Sequence, residues 1–410
     1  MTVAVHTLGC KVNRCDTESL VSLLAEIGVK FCDFGKKADA YIINTCTVTH
    51  VSDKKSLQMI RRAKKQNPKA FIAVCGCLVQ KEMPRDFPAD FVFDARSPDD
   101  LIFKLKSLSI AEQVDAGHVA SRTRSFIKIQ DGCEQFCAYC IVPYVRGPSI
   151  SRNRGEILNE AKNLINGGTK EIVLTGIHAS SYNDGGGFTR LLGDVLSIDG
   201  LIRLRLSSID PVAVDDDFLG VIAKYDNLCP HFHLSLQSGS NKILERMNRK
   251  YTSREYMLAV KSIREQRPNA AITTDVIVGF PGESEQCFLD TYSLAEAVGF
   301  SDMHIFEYSS REGTPAAVFS EQVAAEVKKQ RSKRLRSLAS EMKASYRKKQ
   351  VGKTLQVLFE NDSKSKFSDG LCKEYVRTMV YSNQSLINTV KDVKITGVVN
   401  EGLVGEIHQI

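Results

Sequence analysis

Ile129-Gln-Asp-Gly-Cys-Glu-Gln-Phe-Cys-Ala-Tyr-Cys-Ile-Val-Pro-Tyr-Val-Arg-Gly147 is the stretch around which this chain is organised. It sets Cys133, Cys137 and Cys140 in a tight run, with Ile127 and Ile129 upstream and Pro143 and Gly147 downstream. Three thiolates on one short loop can hold three corners of a 4Fe-4S cluster and leave one iron open for chemistry. A zinc site would want a fourth Cys or His close by, and the next His is His178. Three unrelated core cysteines would fit poorly with so close a spacing.

Upstream of the loop, the chain alternates strand and helix. Val3 and Val5 alternate towards Leu8 and the strand ends at Gly9-Cys10; Leu20, Leu23, Leu24 and Ile27 then recur at helical spacing. Tyr41-Ile-Ile43 ends at Asn44-Thr-Cys46, a basic helix runs from about Ser52 to Gln66, and Phe71-Ile-Ala-Val74 ends at Gly76-Cys77. Such alternation predicts a doubly wound parallel sheet. Cys10, Cys46 and Cys77 each lie just past a strand's C-terminal end, the edge where ligands bind in such sheets. The topology therefore allows a second three-cysteine cluster. Cys75 ends an apolar strand and should face the core, while Cys15, close to Cys10, is a rival ligand.

Downstream, strands are expected at Glu171–Leu174, Arg203–Leu206, Phe232–Leu236, Thr274–Val278 and Met303–Tyr308, with Phe126–Ile129 making six. Helical patterns such as Ser253–Gln266 and Glu285–Val298 separate most of them. Six parallel strands suit an open partial barrel, whose active site lies at the strand C-termini. Thr175, Ser207, Ser208, Gln237, Ser238 and Glu283 would ring that mouth. Gly279-Phe-Pro-Gly-Glu283 lacks the Lys-Ser/Thr ending of a P-loop and reads as a tight turn.

A long helix is expected over Glu321–Gln350, followed by short strands at Leu355–Phe359, Tyr375–Val380, Val393–Val398 and Leu403–Ile407, punctuated by Gly370, Asn383 and Gly402. They read as a small β-barrel of the kind that handles oligonucleotides. The net charge of +7 is uneven: Glu321–Lys353 holds eleven Lys and Arg against three Asp and Glu, and the remainder is close to neutral. That segment is either a docking face for a polyanion or a solvated helix face. With 43% hydrophobic and 25% charged residues, the composition is that of a globular protein. Neither an export signal nor a membrane-length apolar run is visible, so cytoplasmic residence is expected, and twelve cysteines then point to metal or redox chemistry rather than disulfides.

Leu8-Gly-Cys-Lys-Val-Asn13, Asn44-Thr-Cys-Thr-Val-Thr49, Gly76-Cys-Leu-Val-Gln80, the Asp131–Gly147 loop, Gln237-Ser-Gly-Ser240, Met247-Asn-Arg-Lys-Tyr-Thr252 and Gly279-Phe-Pro-Gly-Glu283 together resemble the radical S-adenosylmethionine methylthiotransferases, across essentially the whole chain. The last sixty or so residues resemble that family's RNA-binding TRAM domain. The resemblance implies an α/β chain of three domains: 1–120, a methylthiotransferase domain with a doubly wound sheet; 121–345, a radical S-adenosylmethionine partial barrel; and 346–410, a TRAM β-barrel.

It also implies two 4Fe-4S clusters. Cys133, Cys137 and Cys140 would hold the one whose open iron binds S-adenosylmethionine and cleaves it to a 5′-deoxyadenosyl radical. Cys10, Cys46 and Cys77 would hold an auxiliary cluster carrying the sulfur that a second S-adenosylmethionine methylates. Thr175, Gly176, Ser207, Gln237 and Ser238 would contact S-adenosylmethionine, and Tyr139 either touches its adenine or merely packs.

Gly9-Cys-Lys-Val-Asn13, Ile129-Gln-Asp-Gly-Cys133 and Thr175-Gly-Ile-His178 are similar to the branch acting on N6-threonylcarbamoyladenosine beside the tRNA anticodon, at carbon 2 of the base. Cys15 and Asn248 stand where that branch typically has an aromatic and an extra Arg. The implied partners are that tRNA, a low-potential electron donor and a sulfur donor, with no membrane and a monomeric chain. The isopentenyladenosine branch, and a non-catalytic zinc-containing RNA-binding protein, are the competing readings.

Overall fold

A computed structural model describes residues 1–80, 87–108, 123–362, 366–400 and 402–408. The expected domain junction between residues 120 and 121 lies outside them. The chain divides into two units, the first built on one sheet and the second on two sheets and a barrel. The first takes the described residues within Met1–Ala120 together with Asp131–Ser149 and Ser309–Ala317. The cysteine loop thus belongs with the N-terminal sheet.

In that unit the elements run β1 (Thr2–Thr7), α1 (Lys11–Glu26), β2 (Lys30–Cys32), β3 (Ala40–Thr45), α2 (His50–Gln66), β4 (Phe71–Gly76), β5 (Phe91–Val92) and α3 (Asp99–Leu108). The strands form one parallel sheet in the order β2-β1-β3-β4-β5. Every residue of the central β3 is buried, because helices cover both faces. Leu20 and Leu24 of α1 and Leu101 and Leu105 of α3 pack on Val3, Ile42 and Ala73. On the other face Ile60 and Ala63 of α2 meet Tyr41, Ile43 and Val74. The sheet is doubly wound, as expected. The short β2 and β5 were not foreseen, since neither exceeds three residues. The strand order reverses between β1 and β3, and in open α/β sheets that switch point opens a crevice at the strand C-termini.

The second unit continues with β6 (Arg124–Asp131), whose end passes into the cysteine loop and α4 (Val142–Arg146). Then follow β7 (Ile150–Ser151), α5 (Arg154–Asn166), β8 (Glu171–Gly176), α6 (Gly187–Leu196), β9 (Arg203–Leu206), β10 (Ser208–Ile209), α7 (Asp216–Lys224) and β11 (His231–Leu234). After these come α8 (Asn241–Arg246), α9 (Ser253–Gln266), β12 (Ala271–Val278), α10 (Glu285–Val298) and β13 (Asp302–Glu307). The six expected strands are present, extended by the short β7 and β10 into two sheets, β7-β6-β8-β9 and β10-β11-β12-β13. A parallel bridge from Leu204 to Leu228 continues β9 towards the second. One face is apolar: Ile127, Leu174, Leu204, Phe232, Ile272 and Ile305 pack under helices α5 to α10. The alternate residues face the other way and are mostly polar, among them Glu171, Thr175, Arg203, Arg205, His233, Asp275 and His304.

The chain closes with α11 (Ala325–Lys348) and β14 (Thr354–Asp362), β15 (Phe367–Cys372), β16 (Arg377–Tyr381), β17 (Val390–Val399) and β18 (Gly402–Ile407), a closed barrel of order β14-β15-β16-β18-β17. Four strands were expected; β15 is the fifth, and Gly370, read as punctuation, lies inside it. A Cβ on Gly370 would come within 2.1 Å of the Leu358 carbonyl oxygen, so glycine is what lets β15 lie against β14. The barrel docks at the N-terminal ends of the parallel strands. Arg203 and Arg205, at the start of β9, both clasp Glu171 and donate to the carbonyls of Leu371, Cys372 and Lys373. Tyr375 stacks on His231 at 4.4 Å. No helix among the described residues is long and apolar enough to cross a membrane.

Candidate active site

The three dispersed cysteines are carried to the crevice by glycine turns. Gly9 has φ +97°, and a Cβ there would sit 2.9 Å from Cys46 Cβ; Gly76 has φ +92°, with a Cβ 2.3 Å from Asn44 Oδ1. Both positions need the left-handed region and have no room for a side chain. Asparagines then stitch the strand ends together. Asn13 Nδ2 donates to the carbonyls of Leu8 (2.8 Å) and Thr45 (2.9 Å), and Asn44 Nδ2 donates to the Asn13 carbonyl (2.9 Å). Cys46 is fixed to α2 by its N–H to Ser56 Oγ (3.2 Å), and the Cys77 N–H donates to the Thr45 carbonyl (3.2 Å).

The thiols of Cys10, Cys46 and Cys77 are near enough to feel one another's charge. Burial pushes the Cys77 thiol up to about 11, with Arg146 opposing, while Cys10 is exposed at the strand edge. Cys75 points instead into the core between α1 and α3, where burial raises its thiol strongly. Cys15 is buried on α1 at 4% exposure.

The cysteine loop is closed on itself. The Cys133 N–H donates to the Gly147 carbonyl (3.1 Å), and the Cys140 N–H to the Cys137 carbonyl (2.9 Å). Gly132, at φ +69°, would place a Cβ 1.8 Å from the Pro148 carbonyl oxygen. Cys133 and Cys137 are buried, while Cys140 and Tyr139 are partly exposed. Arg146, which ends α4, reaches both Asp131 oxygens from its Nη1, at 2.8 and 3.0 Å. From the Ser309–Ala317 segment, Ala316 N–H reaches the Ala138 carbonyl (2.8 Å), and Arg311 binds Thr47 Oγ1 (2.6 Å) and Asp53 (2.7 Å) beside Cys46. Sequence reasoning missed Arg146, Arg311 and Asn13 as site residues. Arg146 and Asn13 stand inside the quoted motifs, which is the signal that could have found them.

These donor sets suit iron–sulfur clusters. Among the described residues no three Cys, His, Asp or Glu side chains converge on one point as the ligands of a single ion do. In a four-iron cluster each thiolate binds a different iron, so the sulfurs need only surround a common space.

In the second unit the rim residues differ in what they do. Thr175 is buried at the end of β8, and Gly176 lies against Gln130, whose Oε1 accepts from the His178 N–H (2.9 Å). Ser207 is 5% exposed and its hydroxyl has no partner among the described residues. Gln237 holds φ +63° and extends the strand ladder to β12 through its N–H to the Asp275 carbonyl (2.9 Å). Ser238 is fully buried, sharing its hydroxyl with Thr291 of α10 (3.2 Å). Ser208 is exposed in β10. Glu283 is spent on its own turn: it accepts from the Gly279 N–H (2.8 Å) and Arg331 (2.7 Å), and burial raises its carboxyl.

Two charged groups unforeseen from sequence complete this unit. Asp210 receives Arg249 (2.7 Å), with His178 at 3.8 Å, so the Thr175–His178 and Met247–Thr252 motifs meet there. Asp275 stands between His233 (3.3 Å) and His304 (3.2 Å); the two imidazoles outweigh burial and hold its carboxyl well below the usual range.

Residues 127–295 match the Radical SAM superfamily, and residues 2–94 match Uncharacterized protein family UPF0004. The chain is 36% identical to the threonylcarbamoyladenosine tRNA methylthiotransferase MtaB of Bacillus subtilis, covering 96% of this chain and 93% of that one. The MtaB of Aquifex aeolicus is 38% identical, over 87% and 92%. The tRNA-2-methylthio-N(6)-dimethylallyladenosine synthase of Clostridium novyi is 35% identical, over 98% and 96%. Among solved structures, the radical S-adenosylmethionine methyltransferase TsrM of Kitasatospora setae shares the fold, with a TM-score of 0.58, 15% identity and 77% of each chain covered. With relatives of this identity along nearly its full length, the chain belongs to the radical S-adenosylmethionine methylthiotransferase family.

Proposed function

We propose that this transferase installs a methylthio group on carbon 2 of N6-threonylcarbamoyladenosine beside the anticodon of tRNA. The observation that carries the reading is the gathering of Cys10, Cys46 and Cys77 at one strand edge, in the unit that also holds the Cys133–Cys140 loop. One three-cysteine set suffices to generate a radical; a second gives sulfur insertion its own site. Cys133, Cys137 and Cys140 would hold one 4Fe-4S cluster and Cys10, Cys46 and Cys77 the other. When bound, these groups and S-adenosylmethionine supply the radical, sulfur and methyl chemistry.

The chain's own part is to place and shield them. The Gly9 and Gly76 turns present the thiols, and the Asp131–Arg146 ion pair holds the loop closed. Tyr139 is the candidate contact for the adenine of S-adenosylmethionine. Thr175, Gly176, Ser207, Gln237 and Ser238 are candidates for its remaining contacts; the buried hydroxyl of Ser207, without a partner among the described residues, suits a polar ligand. The functional division follows as 1–120, 121–345 and 346–410, the last contacting RNA. The partners are tRNA, a low-potential electron donor and a sulfur donor, with the chain acting as a monomer in the cytoplasm.

The choice of base rests on the Gly9–Asn13, Ile129–Cys133 and Thr175–His178 motifs, because relatives named for either modified adenosine match at comparable identity. Mass spectrometry of tRNA nucleosides from cells lacking the protein tests it. Loss of methylthio-threonylcarbamoyladenosine is expected; loss of only the isopentenyl form would move the chain to the sibling branch.

A further inference from the structure

Arg146 has a position that closing the loop does not explain. It is 6% exposed and ends the helix that follows Cys140. Besides the bonds of its Nη1 to Asp131, its Nη2 donates to Asn13 Oδ1 (2.5 Å) and Asp16 Oδ2 (3.1 Å), and its Nε donates to Cys77 Sγ (3.4 Å). A residue of the helix that follows the Cys133–Cys140 loop therefore hydrogen-bonds a thiol of the other trio. The carboxylates of Asp131 and Asp16 share the same guanidinium, so the charge that the sulfur feels depends on them. Asn13 joins the same group to Cys10, whose Sγ lies 3.8 Å from Asn13 Oδ1.

We propose that Arg146 is a positioning residue that raises the reduction potential of the auxiliary cluster at Cys10, Cys46 and Cys77, and that Asp16 moderates it. This rests on the ligand assignment made above. A donor and a buried positive charge at a cluster sulfur favour the reduced, more negative form, and hydrogen bonds and net charge are among the levers that set such potentials. A residue that only braced the loop would leave the potential of the other trio unmoved.

The test uses the full-length chain with Cys133, Cys137 and Cys140 changed to Ala, reconstituted anaerobically so that only the auxiliary set can hold iron. Iron content and an EPR-monitored redox titration are read for this parent and for Arg146→Gln, Arg146→Lys and Asp16→Asn in its background. Arg146→Gln is expected to weaken the preference for the reduced cluster about tenfold, a shift of about 59 mV to more negative potential. Arg146→Lys keeps the charge and should recover part of that shift. Asp16→Asn removes a nearby negative charge at nearly constant shape and should move the potential the opposite way. Unchanged potentials, or shifts of one sign in both Arg146→Gln and Asp16→Asn, would overturn the proposal. If Arg146→Gln binds no iron, Asp16→Asn decides it alone, and no positive shift there overturns it. A parent without iron would instead refute the ligand assignment, and the proposal with it.

Discussion

Glu171 occupies the first position of β8 with no exposed surface, and Arg203 and Arg205 take up its oxygens. Burial alone would raise its carboxyl, but the two guanidiniums hold it down to about 2, from an ordinary 4.5. A depressed acid contributes stability that is complete above its unfolded value and lost as pH falls through the folded one. The fastening of the C-terminal barrel should therefore weaken between about pH 4.5 and 2, seen as a falling unfolding midpoint. Glu171→Gln strands two buried cations and should cost about 3–5 kcal/mol by denaturant unfolding at neutral pH. The cysteines are tested by iron count. After anaerobic reconstitution the protein should carry about eight irons, and changing Cys133, Cys137 and Cys140, or Cys10, Cys46 and Cys77, to Ala should each remove about half. Loss of iron on changing Cys15 or Cys75 instead would show that the ligands are misassigned.

At the scale of elements, the strand ends decide where chemistry can happen. Gly76 ends β4 at φ +92°, and an added Cβ would meet Asn44 Oδ1 at 2.3 Å and the Thr45 carbonyl at 2.4 Å. Gly76→Ala should therefore displace the Cys77 turn, costing about 1–3 kcal/mol in strain and lowering the iron held by the dispersed trio, while the loop keeps its own. The alternation of apolar runs with helical patterns made the parallel sheets readable, and the placing of Cys10, Cys46 and Cys77 after strands made the crevice readable with them. Arg146 and Arg311 were not readable in the same way. Their partners Asn13, Asp16, Thr47 and Asp53 are more than a hundred residues away in sequence, and periodicity carries no information about such pairs. β15 failed for a local reason: Gly370 looks like a turn until the Leu358 carbonyl is seen to need its missing side chain.

For the molecule as a whole, the distribution of charge bears on how RNA is held. The basic segment is two populations. Lys328, Arg331, Arg334, Arg336, Lys343, Arg347 and Lys353 are spent within the protein, on groups such as the Tyr308 and Ile305 carbonyls, Glu283, Glu285 and Asp302. They fasten α11 to the sheet and barrel, so much of the segment's charge serves packing rather than a polyanion. Lys329, Lys333, Lys348 and Lys349 are exposed and have no ion-pair partner among the described residues. Phosphate contacts release counterions, and each contributes about 0.7–0.9 to the slope of log affinity against log salt. Changing these four lysines together to Gln should flatten the slope for tRNA by about 3, at nearly constant thermal stability, because exposed charges contribute little to folding. Arg331→Gln should do the reverse, leaving the slope as it is and lowering the unfolding midpoint, because it removes a buried partner of Glu283. A slope unchanged in the four-lysine variant would place the phosphate contacts elsewhere, and an affinity independent of salt would remove the electrostatic account of tRNA binding altogether.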